Sequence, residues 1–376
     1  MVSAHELEQQ LLSFTREKLA DREIGPAITV ETRLFEDQVI DSLKILELIA
    51  FLQSALDRKI PDSQIVLANF RSIATIARVF TGVESITRRP ATKRSPARRI
   101  ATPDSPIDEL VAKRELELTS QGALVLRGAV ADLRDRFDAT VCDWAHELGA
   151  TGLTFPDDIS LSSLDRAGFL SAFPEKLVRN GEGARSPAVC YHHYPTLSDC
   201  TVTASGSIVT ALGRCFRNEF DQQSPTAVER LREFTMREII TVGTPQLVER
   251  VRRDLMMRVD AWTKELGLDG FIETATDPFF TAESRGRLLM QQMLPLKYEL
   301  RLRADSDGRT IAAASFNNHH DHFGKAFRIK LESGQSANTG CVAFGWERWV
   351  LAFVNQHGAN QRNWPLSVRK DVAATA

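Results

Sequence analysis

The chain has 376 residues, is 43% apolar, and balances 47 Lys and Arg against 49 Asp and Glu for a formal net charge of −2, a composition that predicts a soluble globular protein of more than one domain. It holds no run of about eighteen apolar residues, and residues 1–10 carry acids where an export signal needs a basic and then an apolar stretch, so neither a membrane span nor an export signal is expected and the cytoplasm is the expected location. The five cysteines, Cys142, Cys190, Cys200, Cys215 and Cys341, are scattered without a CxxC pair. An odd number so placed argues against a disulfide framework and leaves burial or metal binding open.

Residues 1–82 form the first predicted unit. Leu7, Leu11, Leu12 and Phe14 recur at helical spacing toward Leu19, and a looser stretch with Ile24, Pro26, Ile28 and Val30 follows. A second helix opens at Asp41 or Ser42, either of which can cap its free N–H groups. Its apolar positions Leu43, Ile45, Leu46, Leu48, Ile49, Phe51, Leu52 and Leu56 exceed one stripe, which marks the central helix of a small bundle. Pro61 interrupts the pattern, and Ile73, Ile76, Ala77 and Phe80 line one side of a last short helix opening at Ser72. The expectation is an all-α bundle.

Residues 83–107 change character. Arg88, Arg89, Lys93, Arg94, Arg98 and Arg99 alternate with Pro90, Pro96, Pro103 and Pro106, with too little apolar content for a core. This reads as a semi-extended linker that lets one domain swing against another, with RNA or anionic lipid as the alternative partners of its charge.

Residues 108–376 are mixed α/β. Strands are expected at 123–126, 207–212, 231–242, 310–315 and 341–344, helices at 132–148, 245–267 and 347–355, and an irregular region at 158–170. There is no βαβ rhythm, no GxGxxG and no GxxxxGKS loop, which disfavours Rossmann and P-loop folds and favours an antiparallel sheet flanked by helices.

The densest candidate constellation is Arg217, Glu219, Arg230, Phe234 and Glu238, with Arg348 far downstream. Read as a strand, Arg217 and Glu219 share a face by period two. A guanidinium fork suits phosphate oxygens, a carboxylate accepts from the exocyclic amine of a base, and an aromatic ring stacks on a purine. Ordinary surface ion pairs and a core aromatic are the bland alternative. Glu238 shares the Phe234 strand face and Cys341 lies on the strand feeding Arg348, so both border the same groove; Cys190 and Cys341 read equally well as buried thiols. Cys142 is read as a packed helix residue, and Cys215 shares strand parity with Arg217. His319, His320 and His322 with Asp321 look by composition like a metal cluster. Lys297 and Glu299 share a face by parity and pair with each other or line a pocket. Tyr191, His192, His193 and Tyr194 fill the mouth of the site or pack in a core.

Phe216-Arg217-Asn218-Glu219, followed by Arg230 and then Phe234, resembles the second signature motif of class II aminoacyl-tRNA synthetases, and Phe344-Gly345-Trp346-Glu347-Arg348 resembles their third, where a glycine lets the chain turn into a helix presenting the arginine. The resemblance implies that Arg217 grips the ATP α-phosphate, Glu219 reads the adenine amine, Arg230 meets the outer phosphates, and Phe234 and Arg348 cover the two faces of adenine. It implies an aminoacyl-adenylate, ATP with magnesium, and Arg217 and Arg348 as the catalytic charges. No acid takes the place of the magnesium ligand many class II enzymes carry, since Ala312, Ala313 and Ala314 stand there.

Cys190, Glu238 and Cys341 resemble the zinc set of archaeal-type seryl-tRNA synthetase and its truncated relatives, the amino acid:[carrier protein] ligases, in which the open position takes the substrate's α-amino group. The same resemblance places Ser315, Asn318 and His320 as polar lining of the pocket, with Trp346, Met236 and Phe316 setting its size, and favours glycine or alanine. The first unit, with Phe35-Glu36-Asp37 ahead of Asp41-Ser42-Leu43, resembles an acyl or peptidyl carrier protein, which implies 4′-phosphopantetheine on Ser42 and a phosphopantetheinyl transferase as partner, with Asp41 and Glu47 helping to dock a basic surface against the contrary charge of Lys44. The expected architecture is multidomain: a carrier bundle (1–82), a basic linker (83–107) and a class II synthetase-like ligase (108–376), expected as a homodimer, loading the carrier in cis or in trans. The first unit resembles no tRNA-binding coiled coil, so tRNA is disfavoured as acceptor. A seryl-tRNA synthetase-like enzyme and a non-catalytic carrier protein with a degenerate binding domain are the rival readings.

Overall fold

The computed structural model describes residues 3–19, 28–32, 34, 39, 44–58, 60, 64, 67–81, 105–220, 229–275 and 297–369. These fall into two compact units, one within residues 3–81 and one within residues 105–369.

In the first unit, helix α1 spans Ala4–Phe14, α2 Lys44–Ala55 and α3 Ile73–Phe80. Ser3 caps α1 by accepting from the Glu6 N–H, and Ser72 caps α3 by accepting from the Thr75 N–H, each satisfying an N-terminal donor that the helix leaves unpaired. Leu7, Leu11, Ile45, Leu48, Leu52, Ile73, Ile76 and Phe80 bury together as the core, which is the apolar stripe of each helix meeting the others. Phe14 and Phe51 stack at 4.1 Å between ring centroids. Ser42, with Asp41 and Leu43, and the stretch 35–37 lie outside the described residues, as does most of the basic segment, 82–104.

The second unit is built on a seven-stranded sheet. In chain order its strands are β1 (Thr151–Gly152), β2 (Ser207–Phe216), β3 (Glu233–Gly243), β4 (Gly270–Thr274), β5 (Lys297–Arg303), β6 (Thr310–His320) and β7 (Asn338–Gly345). Across the sheet they lie β4-β5-β6-β7-β3-β2-β1, antiparallel except for the β1–β2 pair. β3 is a central strand buried from Met236 to Gly243, on both faces of the sheet, and so buries Arg237, Glu238 and Thr241 along with its apolar residues. The chain's β2 outlasts its expected end at 212 and runs to Phe216, and β6 outlasts 315 and runs to His320. The stretch 158–170, expected as irregular, contains a helix at Leu161–Arg166 capped by Ser160.

One face of the sheet is covered by α4 (Ala129–Glu147), α6 (Pro245–Glu265) and α8 (Trp346–His357), through Phe137, Trp262, Trp346, Trp349 and Phe353 packed on Ile239, Val342 and Phe344. Phe137 meets Trp262 edge-on at 5.4 Å and Trp262 lies 4.8 Å from Trp349, ring geometries that add to the burial itself. The opposite face carries α5 (Cys190–Thr196) and α7 (His322–Phe327), whose Tyr191, Tyr194, Phe323 and Phe327 pack with Ala211, Cys215, Ile240 and Cys341. This second face is where the candidate residues gather. Among the described residues, no helix is long and apolar enough to cross a membrane.

Candidate active site

Two rows of side chains cross this face. Strand pairing aligns Lys297, Asn317, Cys341 and Ile240 in one, and Glu299, Ser315, Ala343, Glu238 and Ala211 in the next. Phe234 and Glu238, four residues apart on β3, share the face, so one end of the groove meets the Arg217 turn and the other a cysteine pair.

At the first end β2 stops at Phe216, and Arg217, Asn218 and Glu219 form a turn in which the Glu219 N–H donates to the Arg217 carbonyl at 2.9 Å. The period-two argument for Arg217 and Glu219 therefore fails; the turn brings them together instead. Arg217 donates from Nε to the Pro187 carbonyl at 3.1 Å, and its guanidinium lies 5.2 Å from the Phe234 ring centroid, a cation–π contact. Glu219 pairs with Lys176 at 2.8 Å. Burial works to raise its carboxyl, but Lys176, backed by Arg217, outweighs burial and holds it below its ordinary value. Arg348, the third residue of α8, donates to the Glu229 and Ala312 carbonyls at 3.1 Å each. Burial and the nearby Arg217 charge hold it below its ordinary value, a repulsion between like charges that an anion between them would relieve. Arg230 is exposed on the turn entering β3.

The Glu347 carboxylate accepts the Thr235 N–H at 2.9 Å through both oxygens, which fixes the backbone beside Phe234 to the start of α8 and so ties two walls of the groove. Gly345 precedes this helix with φ −91° and ψ 101°, and a Cβ there would approach nothing nearer than the Ala313 carbonyl at 3.8 Å. The turn does not need a glycine. Gly122, by contrast, sits at φ +82° with the Phe220 ring 2.4 Å from where a Cβ would lie, so a side chain there would push on the Arg217–Glu219 turn.

At the second end Cys190, Glu238 and Cys341 bring one ligand atom each to within 4.8 Å of one another, all buried. Glu238 accepts the Val189 N–H on Oε1 at 2.9 Å, while Oε2 is buried without a hydrogen-bond partner. The Cys341 thiol and burial push the Cys190 thiol up, and burial pushes the Glu238 carboxyl up. Three acidic groups in so dry a space cannot all ionise without a cation among them, and two thiolates with one carboxylate are a donor set zinc accepts. The residues present therefore fit the metal. Asn317 donates from Nδ2 toward the Cys341 Sγ at 3.4 Å and the Ser315 Oγ at 3.1 Å, and His319 Nε2 lies 3.8 Å from that sulfur. Asn317 and His319 therefore touch Cys341, and Ser315 meets the set through Asn317.

The segment 186–190 joins both ends, since Pro187 holds Arg217, Val189 holds Glu238, and Cys190 is itself in the set. Lys297 and Glu299 pair at 2.6 Å on the same face. Cys215 is buried on it outside the set, Cys142 is half-buried in α4, and Cys200 is exposed. Lys176 and the two backbone contacts of 187 and 189 carried no sequence signal, whereas Asn317 was within reach of the strand parity that ties it to Ser315.

The model of the tRNA synthetase class II core domain (G, H, P, S and T) matches residues 208–357, from the start of β2 to the end of α8. The chain is 30% identical over 305 residues to amino acid–[acyl-carrier-protein] ligase 2 of Bradyrhizobium diazoefficiens, covering 73% of this chain and 90% of that one. To ligase 1 of the same organism it is 29% identical over 294 residues, 70% of this chain and 89% of the relative. Among solved structures, the M. kandleri seryl-tRNA synthetase in complex with A. aeolicus tRNASec superposes with a TM-score of 0.61 at 22% identity, covering 93% of this chain and 69% of that one, which speaks for the fold of the core. With a class II sheet, a matching core model, and a relative aligned over nearly its whole length, the chain belongs to the amino acid–[acyl-carrier-protein] ligase family.

Proposed function

We propose that the protein activates a small amino acid, glycine or alanine, as its adenylate and transfers it to the phosphopantetheine thiol of a carrier domain, its own residues 1–82, with Ser42 as the attachment point. The single observation that carries this reading is that one sheet face bears both Phe234, with the Arg217 guanidinium against it and Arg348 close enough to feel that charge, and Glu238 and Cys341 of the thiol-carboxylate set. Phe234 and Glu238 are about 13 Å apart along β3 at the usual rise per residue, room for a purine at one end and an amino acid at the other.

In this reading the base stacks between Phe234 and Arg348 and donates its amine to Glu219, and Arg230 reaches the outer phosphates. Arg217 and Arg348 hold the phosphate chain. The amino acid carboxylate oxygen attacks the α-phosphorus, the bond to the bridging oxygen breaks, and pyrophosphate leaves carrying the charge that the two guanidiniums stabilise. The phosphopantetheine thiolate then attacks the carbonyl carbon and AMP departs, leaving an aminoacyl thioester. Cys190, Glu238 and Cys341 would hold zinc, a Lewis acid with a position for the substrate's α-amino nitrogen. Asn317, buried beside Cys341, orients that thiolate, and Met236, on the groove face, limits the side chain admitted, whereas Trp346 and Phe316, expected beside it, pack in the core on the opposite face of the sheet. Magnesium accompanies ATP, a phosphopantetheinyl transferase installs the arm, and a homodimer would let it reach either active site.

The test is amino acid-dependent pyrophosphate exchange together with thioester formation on the full chain. Ser42→Ala is expected to keep exchange and lose loading in cis. Exchange without any thioester contradicts the transfer step, and charging of tRNA by the chain would favour the synthetase reading instead.

A further inference from the structure

We propose that Lys176 sets the base specificity of the nucleotide site by keeping Glu219 an acceptor-only carboxylate. The inference rests on the reading of Glu219 as the residue that meets the exocyclic amine of adenine. Lys176 ends the short 3-10 turn Pro174–Lys176, outside either signature motif, and its ammonium is held from two sides. It lies 2.8 Å from the Glu219 carboxylate and 5.1 Å from the Phe173 ring centroid. The backbone locks the same register, because the Asn218 N–H donates to the Lys176 carbonyl at 3.0 Å and the Asn218 side chain to the Glu175 carbonyl at 3.3 Å. The turn that carries Arg217 and Glu219 is thereby zipped to the segment that carries the lysine.

The chemistry follows from what each purine presents. Adenine offers an amine at the position where guanine offers a carbonyl oxygen. An ionised carboxylate accepts from the first and repels the second, whereas a protonated one can donate to the second. Half-buried as it is, Glu219 would drift toward the protonated form; the charges facing it are Lys176, Arg217 from its own turn, and Arg348 from α8. Arg217 and Arg348 are engaged with backbone carbonyls and, in the reading above, with phosphate, so Lys176 is the cation assigned to the base reader. It acts through Glu219 and is a positioning residue.

The experiment is calorimetric titration of the full chain with Mg-ATP and with Mg-GTP for the wild type, Lys176→Met, Lys176→Arg and Glu219→Gln. With 34% of the Lys176 side chain exposed, the substitutions are expected to leave the melting temperature unchanged. Lys176→Met should weaken ATP about fivefold, the order expected for a charge-assisted bond partly screened by solvent. GTP should be unaffected or tighter, so the ATP-to-GTP ratio falls, and falls further at pH 6 than at pH 8 because the carboxyl freed from the lysine takes up a proton first at acid pH. Lys176→Arg should restore the ratio, which a merely structural role does not predict. If Lys176→Met leaves the ratio unchanged while Glu219→Gln lowers it, the proposal for Lys176 is overturned and the reading of Glu219 stands. If Glu219→Gln leaves it unchanged as well, the reading itself fails.

Discussion

Arg348 is half-buried, held by two carbonyls and pressed by the Arg217 charge, so its removal should affect the reaction more than the fold. Arg348→Ala is expected to lower the pyrophosphate exchange rate by about 100- to 1,000-fold, the usual loss for a preorganised charge at a developing anion, with bound zinc by metal analysis unchanged. Lost zinc would mean that the residue supports the cysteine end structurally. His193 poses a different problem, being 4% exposed with neither ring nitrogen partnered. Burial pushes its imidazole down to about 4 from 6.5. Because the unfolded chain takes up that proton first, stability is full above about pH 6.5 and declines as pH falls toward 4, by about 3 kcal/mol in all. In urea melts across that range His193→Phe should flatten the slope; an unchanged slope would place the proton uptake elsewhere. The Arg217, Glu219, Phe234 and Arg348 constellation was legible because it lies in two compact signature motifs. Lys176 was not, because a lysine in a short Pro-Glu-Lys turn looks the same whether it faces solvent or a carboxylate.

At the scale of elements, the site is rigid because the back of the sheet is. Arg237, next to Glu238 on β3, donates to both oxygens of Asp138 on α4 at 2.8 and 2.6 Å, and the Trp346 indole at the start of α8 donates to the same carboxylate at 2.9 Å. Three elements thus meet on one half-buried carboxylate, behind the strand that presents Phe234 and Glu238. Asp138→Ala leaves a buried guanidinium unpaired and should cost about 3–5 kcal/mol, read by denaturant unfolding of the chain. Asp138→Ala with Arg237→Met should recover much of it, and a double variant as unstable as the single one would show that packing around Asp138, not the charge pair, was lost. Periodicity foresaw α1, α3, α4, α6, α8, β3 and the antiparallel sheet, since those segments are long and bury one clear face. It cut β2 and β6 short at 212 and 315 because Gly213-Arg214 and Asn317-Asn318 break the apolar pattern. Both extensions belong to strands whose far ends serve the groove, where polar residues face inward and chemistry overrides the pattern that sequence reading relies on.

Over the whole molecule, one chain carries a helical unit and a class II core. The core was readable from its motifs, and the family relatives extend over most of it. The Cys190, Glu238 and Cys341 set could not be derived from spacing, because 48 residues separate the first pair and 103 the second; only the sheet and α5 bring them within 4.8 Å. The helices of the first unit followed from their stripes, while what Ser42 carries is a matter of chemistry beyond local pattern. Loading of Ser42 can be read by intact-protein mass spectrometry of the full chain, after treatment with a phosphopantetheinyl transferase and coenzyme A and then with ATP, zinc and a mixture of amino acids. The expected result is one phosphopantetheine increment that Ser42→Ala abolishes, followed by one ATP-dependent increment of a single small aminoacyl residue, removable by hydroxylamine. A chain that gains phosphopantetheine but never the aminoacyl increment, with every amino acid and ATP present, would contradict it.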